Sequence, residues 1–209
     1  VTLPEGKEAV PRQVLDRLHS AERGHAETLS GYRQIQWTGG RLAASHAQRS
    51  LGRTPQPILS APLGAPIPPR GLAVSISHKK HLALALVSRA GTHTLGLDLE
   101  MFTPARLQIA EKVLTEAERM DLAEIPEAQR WGSLLLRFSV KEAIYKALAP
   151  RLKRWIDFHE AEVWPDVNGS CRTHLHLEEP APAVTLEVRY VWLAEGVFTT
   201  VRAHWQQSG

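Results

Sequence analysis

Apolar and polar positions alternate in two different rhythms along this chain. Between about Pro11 and Gly31 the apolar positions Leu15, Leu18 and Leu29 suit a helix, and an Ala-rich stretch from Tyr32 to Arg49 suits a second. The segment Gly52–Gly71 holds Pro55, Pro57, Pro62, Pro66, Pro68 and Pro69, which exclude regular helix and central strand and predict a connecting loop. Strands are expected at Leu72–Ser77, Leu82–Ser88 and Thr94–Asp98, with turns at His78–His81 and Arg89–Gly91. Thr115 followed three residues on by Glu118 has the form of a capping box and should open a short helix. Pro126 sits at the expected first turn of a long helix, Glu127–Leu148, which Pro150 should stop. From Trp155 the pattern has period two. Strands are expected at Glu162–Trp164, Thr173–Leu177, Val184–Val191 and Phe198–Ala203, with turns at Pro180–Pro182 and Glu195–Gly196. Periodicity thus gives an α+β fold with largely antiparallel sheets and no visible sequence repeat.

Two segments break the pattern with charge where apolar residues belong. In Gly96-Leu97-Asp98-Leu99-Glu100, Asp98 and Glu100 project to one face of a strand, and Leu97 and Leu99 to the other. In Phe138-Ser139-Val140-Lys141-Glu142-Ala143-Ile144-Tyr145-Lys146, Glu142 shares a helix face with Phe138 and Lys146. Phe138 continues the apolar stripe of Trp131, Leu134 and Leu135, so Glu142 and Lys146 lie on or beside the buried side. Uncompensated buried carboxylates are costly. A divalent cation resolves that conflict, and an all-oxygen donor set suits Mg²⁺, which takes substrate phosphate oxygens among its ligands. Metal-assisted chemistry on a phosphorylated substrate is therefore expected.

The 209 residues suffice for one sizeable core or two small lobes. Hydrophobic residues make up 43% and charged residues 22%, the balance of an ordinary globular chain, and no apolar run reaches the roughly 18 residues of a membrane span. The first residues, Val1 to Glu5, lack the basic and apolar regions of a signal peptide, so a cytoplasmic location without membrane association is expected. A single cysteine, Cys171, excludes an internal disulfide and a multi-Cys metal site. The ten histidines show no zinc spacing, and His174-Leu175-His176 reads as surface. The formal charge is +3 and the pI about 9.2, with cations concentrated in the first half. That half suits an anionic ligand or acidic partner. A nucleic-acid-binding module is the alternative, but the aromatics needed for base stacking are only Tyr32 and Trp37 there. A metal-dependent nuclease would have no use for the Ser77-His78 pair.

Both acidic segments, in this order, resemble the signature of the 4′-phosphopantetheinyl transferases, in their two-halved surfactin and enterobactin branch. Val74-Ser75-Ile76-Ser77-His78 agrees with it, as do Arg33, Trp37 and Gly40-Arg41-Leu42-Ala43-Ala44 upstream. The resemblance implies a pseudo-twofold monomer of two similar α/β lobes, residues 1–100 and 101–209, with coenzyme A between them. It implies transfer of the 4′-phosphopantetheine arm of coenzyme A to a serine of an apo acyl or peptidyl carrier protein, Mg²⁺-dependent, releasing 3′,5′-ADP. Asp98, Glu100 and Glu142 are then the metal ligands. Asp98, Glu142 and Lys146 are the catalytic residues, and Arg33, Arg41, Ser77, His78, Lys141 and Lys146 bind coenzyme A. Glu142 has two roles open to it, metal ligand and general base, with the base preferred. Many relatives place a cation in the Pro-rich loop where this chain has Ala65, and Arg53 or Arg70 is the expected substitute. The carrier protein is expected to be acidic where it docks, and the segment between Met101 and Leu122 to border the cleft that its serine enters.

Overall fold

The computed structural model describes residues 1–61, 64–178 and 181–206. Pro62 and Pro180 of the expected loop and turn lie outside the described residues. The chain divides into two compact units, Val1–Gly91 and Thr92–Gly209. The division falls after Gly91 rather than after residue 100, because the strand that carries the acidic pair takes its hydrogen-bond partner from the C-terminal strand.

In the first unit the expected single helix from Pro11 is two short ones, α1 (Arg12–Leu15) and α2 (Ser20–Glu27). His19 separates them as an N-cap. Its ring accepts from Ala21 N, and Glu22 reaches back to the His19 amide. The long helix α3 (Gly31–Ser50) packs on a hairpin, and the loop between them carries the paired two-residue strands β1 (Leu59–Ser60) and β2 (Pro66–Ile67). The hairpin is β3 (Leu72–Lys79) and β4 (Leu82–Arg89), closed by Lys80-His81 with Lys80 at φ 46°. The small residues of α3 permit close approach: a Cβ on Gly40 would fall 2.9 Å from Ile76 Cγ2. His78 lies within β3, not in the turn, so its side chain points to the face opposite Ser77.

The second unit begins with β5 (His93–Met101). Two short helices follow, α4 (Ala110–Val113) and α5 (Glu116–Glu124), the latter opened by the expected Thr115–Glu118 capping box. The helix α6 (Glu127–Leu152) continues past Pro150 and ends at Lys153 in the left-handed region. Proline is tolerated there because it forgoes only one bond in the last turn. Then come β6 (Ala161–Pro165), β7 (Cys171–Leu175), β8 (Val184–Leu193) and β9 (Gly196–Trp205). One sheet runs β5-β9-β8 and β6 pairs with β7, every ladder antiparallel. The core of this unit is α6 laid over the sheet, with Val140, Ala143, Ala147 and Leu148 against Val197, Val201 and Ala203. Among the described residues no helix is long and apolar enough to cross a membrane.

Gly96 sets how closely α6 lies on β5. A Cβ there would fall 1.8 Å from the carbonyl oxygen of Ala143, which is backbone and has no rotamer to give. Gly96→Ala is therefore expected to destabilise the protein by at least the 1–3 kcal/mol usual for overpacking, measured as a lower denaturation midpoint. An unchanged midpoint would mean that α6 can shift freely.

Candidate active site

Three of the residues expected to bind coenzyme A meet at one cavity of the first unit. Arg33 and Arg41, eight residues apart on α3, line it with Gln36 and Trp37 between them, and His78 enters from β3 beside Ile76. The cavity is about 640 Å³ and is completed by His25, Leu29, Ser60, Ala61, Gly64 and Pro66. Positions 33, 37 and 41 recur at four-residue intervals, so the helix presents them to one side.

Arg41 is nearly buried and held hard. Its Nε donates to Ile58 O at 2.6 Å, its Nη2 donates to Ser60 Oγ at 3.0 Å, and its guanidinium stacks on Trp37, 3.6 Å from the ring centroid. Desolvation pulls its pKa down to about 10, partly offset by the nearby Glu22 carboxylate. It stays a cation at neutral pH. Arg33 and His78 are exposed at the cavity. The indole N–H of Trp37 is buried and has no hydrogen-bond partner among the described residues. The cavity thus offers the Arg33 and Arg41 cations, the complement of a phosphorylated ligand. Ser77 does not line it, nor do Arg53 and Arg70. Sequence reasoning missed His25 and Glu22. His25 packs on Trp37 with the rings tilted by 55° and centroids 4.2 Å apart, and Glu22 Oε1 accepts from Ile58 N at 2.8 Å, anchoring the segment that Arg41 grips.

In the second unit, Asp98 and Glu100 are both buried, on the face of β5 that α6 covers. Contacts down that face run in order: Thr94 Oγ1 donates to Ala147 O at 2.6 Å, Gly96 meets Ala143, and Asp98 meets Ser139. Ser139 Oγ donates to Asp98 Oδ2 at 2.9 Å and lies 2.7 Å from Thr199 Oγ1 of β9. Lys146 Nζ donates to Asp98 Oδ1 at 2.6 Å. Ser139, Glu142 and Lys146 are spaced three and four residues apart, so Glu142 lies on α6 between two residues that touch Asp98. Ser139 was not singled out from sequence, although its spacing from Glu142 carried the signal.

Lys141 requires correction. It is not a phosphate contact. Its side chain is 1% exposed, and Nζ donates to Glu118 Oε2 at 2.6 Å, Val113 O at 2.7 Å and Phe158 O at 2.9 Å. All three ammonium protons are committed. The residue is a step of about 100° round the helix from Glu142, which turns it into the core between α5 and β6.

Family models decide the assignment. The 4′-phosphopantetheinyl transferase superfamily model matches residues 94–201, and the 4′-phosphopantetheinyl transferase N-terminal domain model matches residues 21–88. The chain belongs to the 4′-phosphopantetheinyl transferase superfamily. Enterobactin synthase component D of Salmonella typhimurium is 33% identical over 199 residues, 92% of this chain and 71% of that protein. The 4′-phosphopantetheinyl transferase Npt of Nocardia iowensis is 28% identical, with 90% of each chain covered. The 4′-phosphopantetheinyl transferase PptT of Mycobacterium tuberculosis is 34% identical over 125 residues, 59% of this chain but only 54% of that protein. These matches give no support to a nucleic-acid-binding module.

Among the described residues no three carboxylate, imidazole or thiol groups are already gathered to hold an ion. Mg²⁺, however, binds through one or two carboxylates plus water and substrate phosphate rather than in a protein cage. Two buried carboxylates on one strand face, with Glu142 on the helix over it, fit that requirement.

Proposed function

We propose that this protein transfers the 4′-phosphopantetheine arm of coenzyme A to a serine of an apo acyl or peptidyl carrier protein, releasing 3′,5′-ADP, and that it does so as a monomer. The observation that carries this is the convergence of Arg33, Arg41 and His78, three signature residues from α3 and β3, on one cationic cavity. Their charge suits the 3′-phosphate end of coenzyme A. Asp98 and Glu100, with Glu142, would hold Mg²⁺, which when bound neutralises pyrophosphate charge. Lys146 would leave Asp98 to contact the pyrophosphate, and Glu142 would accept the serine proton. The serine oxygen forms its bond to the β-phosphorus as the bond to the α-phosphate oxygen breaks, and that oxygen leaves with the electron pair as 3′,5′-ADP. Positioning and charge neutralisation supply most of the rate in such a transfer.

Incubation with coenzyme A, Mg²⁺ and a panel of apo carrier proteins, read by intact mass, tests the activity. A carrier gaining the arm supports it, and no gain across fatty-acid, polyketide and peptide carriers would overturn it. His78→Ala is expected to weaken coenzyme A binding by about 1.5–3 kcal/mol, the range for a hydrogen bond to a charged group. It should also erase most of the preference for coenzyme A over 3′-dephospho-coenzyme A. Calorimetry that finds the preference unchanged would assign His78 to structure.

A further inference from the structure

The β6–β7 hairpin carries donors that neither the first-unit cavity nor the Asp98 cluster uses. Residues opposite each other in an antiparallel pair share a face, as do residues two apart on a strand. Glu162 pairs with His174. The ladder extends by one bond, from His176 N to Glu160 O at 2.8 Å, so His176 keeps the strand alternation. Glu162, His174 and His176 therefore stand on one face, while Ala161 and Val163 point into the core. The face is open to solvent, with the His176 side chain 48% exposed.

The three side chains already lean together. The two imidazole rings meet edge to face with centroids 4.5 Å apart, and His176 Nε2 lies 3.6 Å from Glu162 Oε2. Thr115 Oγ1 donates to Glu162 Oε1 at 3.2 Å and orients the carboxylate, with Oε2 on the His176 side. Glu160 is taken by Arg154, and Arg172 continues the face beyond His174, opposite Trp164.

We propose that Glu162, His174 and His176 form a binding site for a divalent transition-metal ion of the Zn²⁺ class. Two imidazoles and one carboxylate are a set that Zn²⁺ accepts, and one that Mg²⁺, which takes oxygen ligands, does not prefer. Ligands about 2.0–2.1 Å from a tetrahedral ion sit about 3.3 Å apart, so the His176–Glu162 pair is within a few tenths of an ångström of its bound spacing. The donors are not closed on one point in the structure. His174 closes them by turning its exposed side chain between staggered rotamers, with the backbone fixed by the ladder. The fourth position falls to water. Thr115 also caps α5 through the Glu118 amide, so the ion would tie β6 and β7 to the start of that helix.

The test is calorimetric titration of Zn²⁺ into the full chain with Mg²⁺ in excess, which would occupy the oxygen donors proposed around Asp98. One ion per chain is expected. His174→Ala and His176→Ala should each weaken it by more than the roughly 10–100-fold typical of losing an outer-shell partner. Zn²⁺ should raise the melting temperature of the parent protein and not that of the double variant, since a ligand stabilises only the state it binds. Both histidines are exposed, so the variants should melt with the parent when metal is absent. Absence of one-to-one binding, or an isotherm unchanged in the double variant, would overturn the site.

Discussion

Asp98→Asn is expected to cut carrier-protein modification by about two to three orders of magnitude, the loss typical when one preorganised charge-stabilising group is removed from a polar active site. The isosteric amide still meets the Ser139 hydroxyl, so the polar contact between β5, α6 and β9 survives. What is lost is the charge that Lys146 holds at 2.6 Å and that the proposed Mg²⁺ would use. Lys146 is 26% exposed and can turn to solvent, so the melting temperature should change little. Coenzyme A affinity should fall far less than the transfer rate, because the Arg33, Arg41 and His78 cavity is untouched. Steady-state kinetics and calorimetry on the same preparation separate the two. Full transfer activity in Asp98→Asn would remove Asp98 from the catalytic machinery.

The sheet of the second unit was legible because its strands alternate cleanly. Gly96 to Ala203 read as strand wherever β-branched and apolar residues held period two. Boundaries were less so. His19 ends one helix and caps the next through its ring, a role that a Ser, Thr, Asp or Asn at the N-cap would have announced and a histidine does not. Pro150 looked like a stop, yet a proline in the last turn removes only one bond, and the Lys153 amide still closes on Ala149 O. At the site, spacing identified which residues share a face but not what lies opposite them. Asp98, Glu142 and Lys146 were read from their places along strand and helix, and the cross-element contact of Lys146 with Asp98 had no local signal. Ser77 and His78 were taken together on the resemblance. Adjacent strand residues point apart, and only His78 reaches the cavity.

Lys141 shows how far adjacency can mislead, and it carries the largest expected effect on stability. Glu118 is fully buried. One of its oxygens accepts from Lys141 Nζ and from the Thr115 amide at 2.8 Å, and the other accepts from Val163 N at 2.8 Å. Burial lowers the pKa of Lys141, and the Glu118 charge opposes the shift. Lys141→Met removes the counter-charge and also takes a donor from the carbonyls of Val113 and Phe158, the latter keeping its bond from Ala161 N. Breaking a buried pair from one side costs about 3–5 kcal/mol, because the remaining charge keeps its desolvation penalty. A denaturation midpoint lowered by that amount is expected, with coenzyme A affinity of the folded fraction unchanged. Adding Glu118→Gln removes the orphaned charge, and the amide oxygen can still accept from Val163, so the double variant should lose less than the sum of the two single ones. The opposite pattern, an unchanged midpoint with weakened coenzyme A binding, would return Lys141 to the phosphate site. The network joins the start of α5, the middle of α6 and the approach to β6, so its loss should be felt as unfolding of the unit and not as a local change in catalysis.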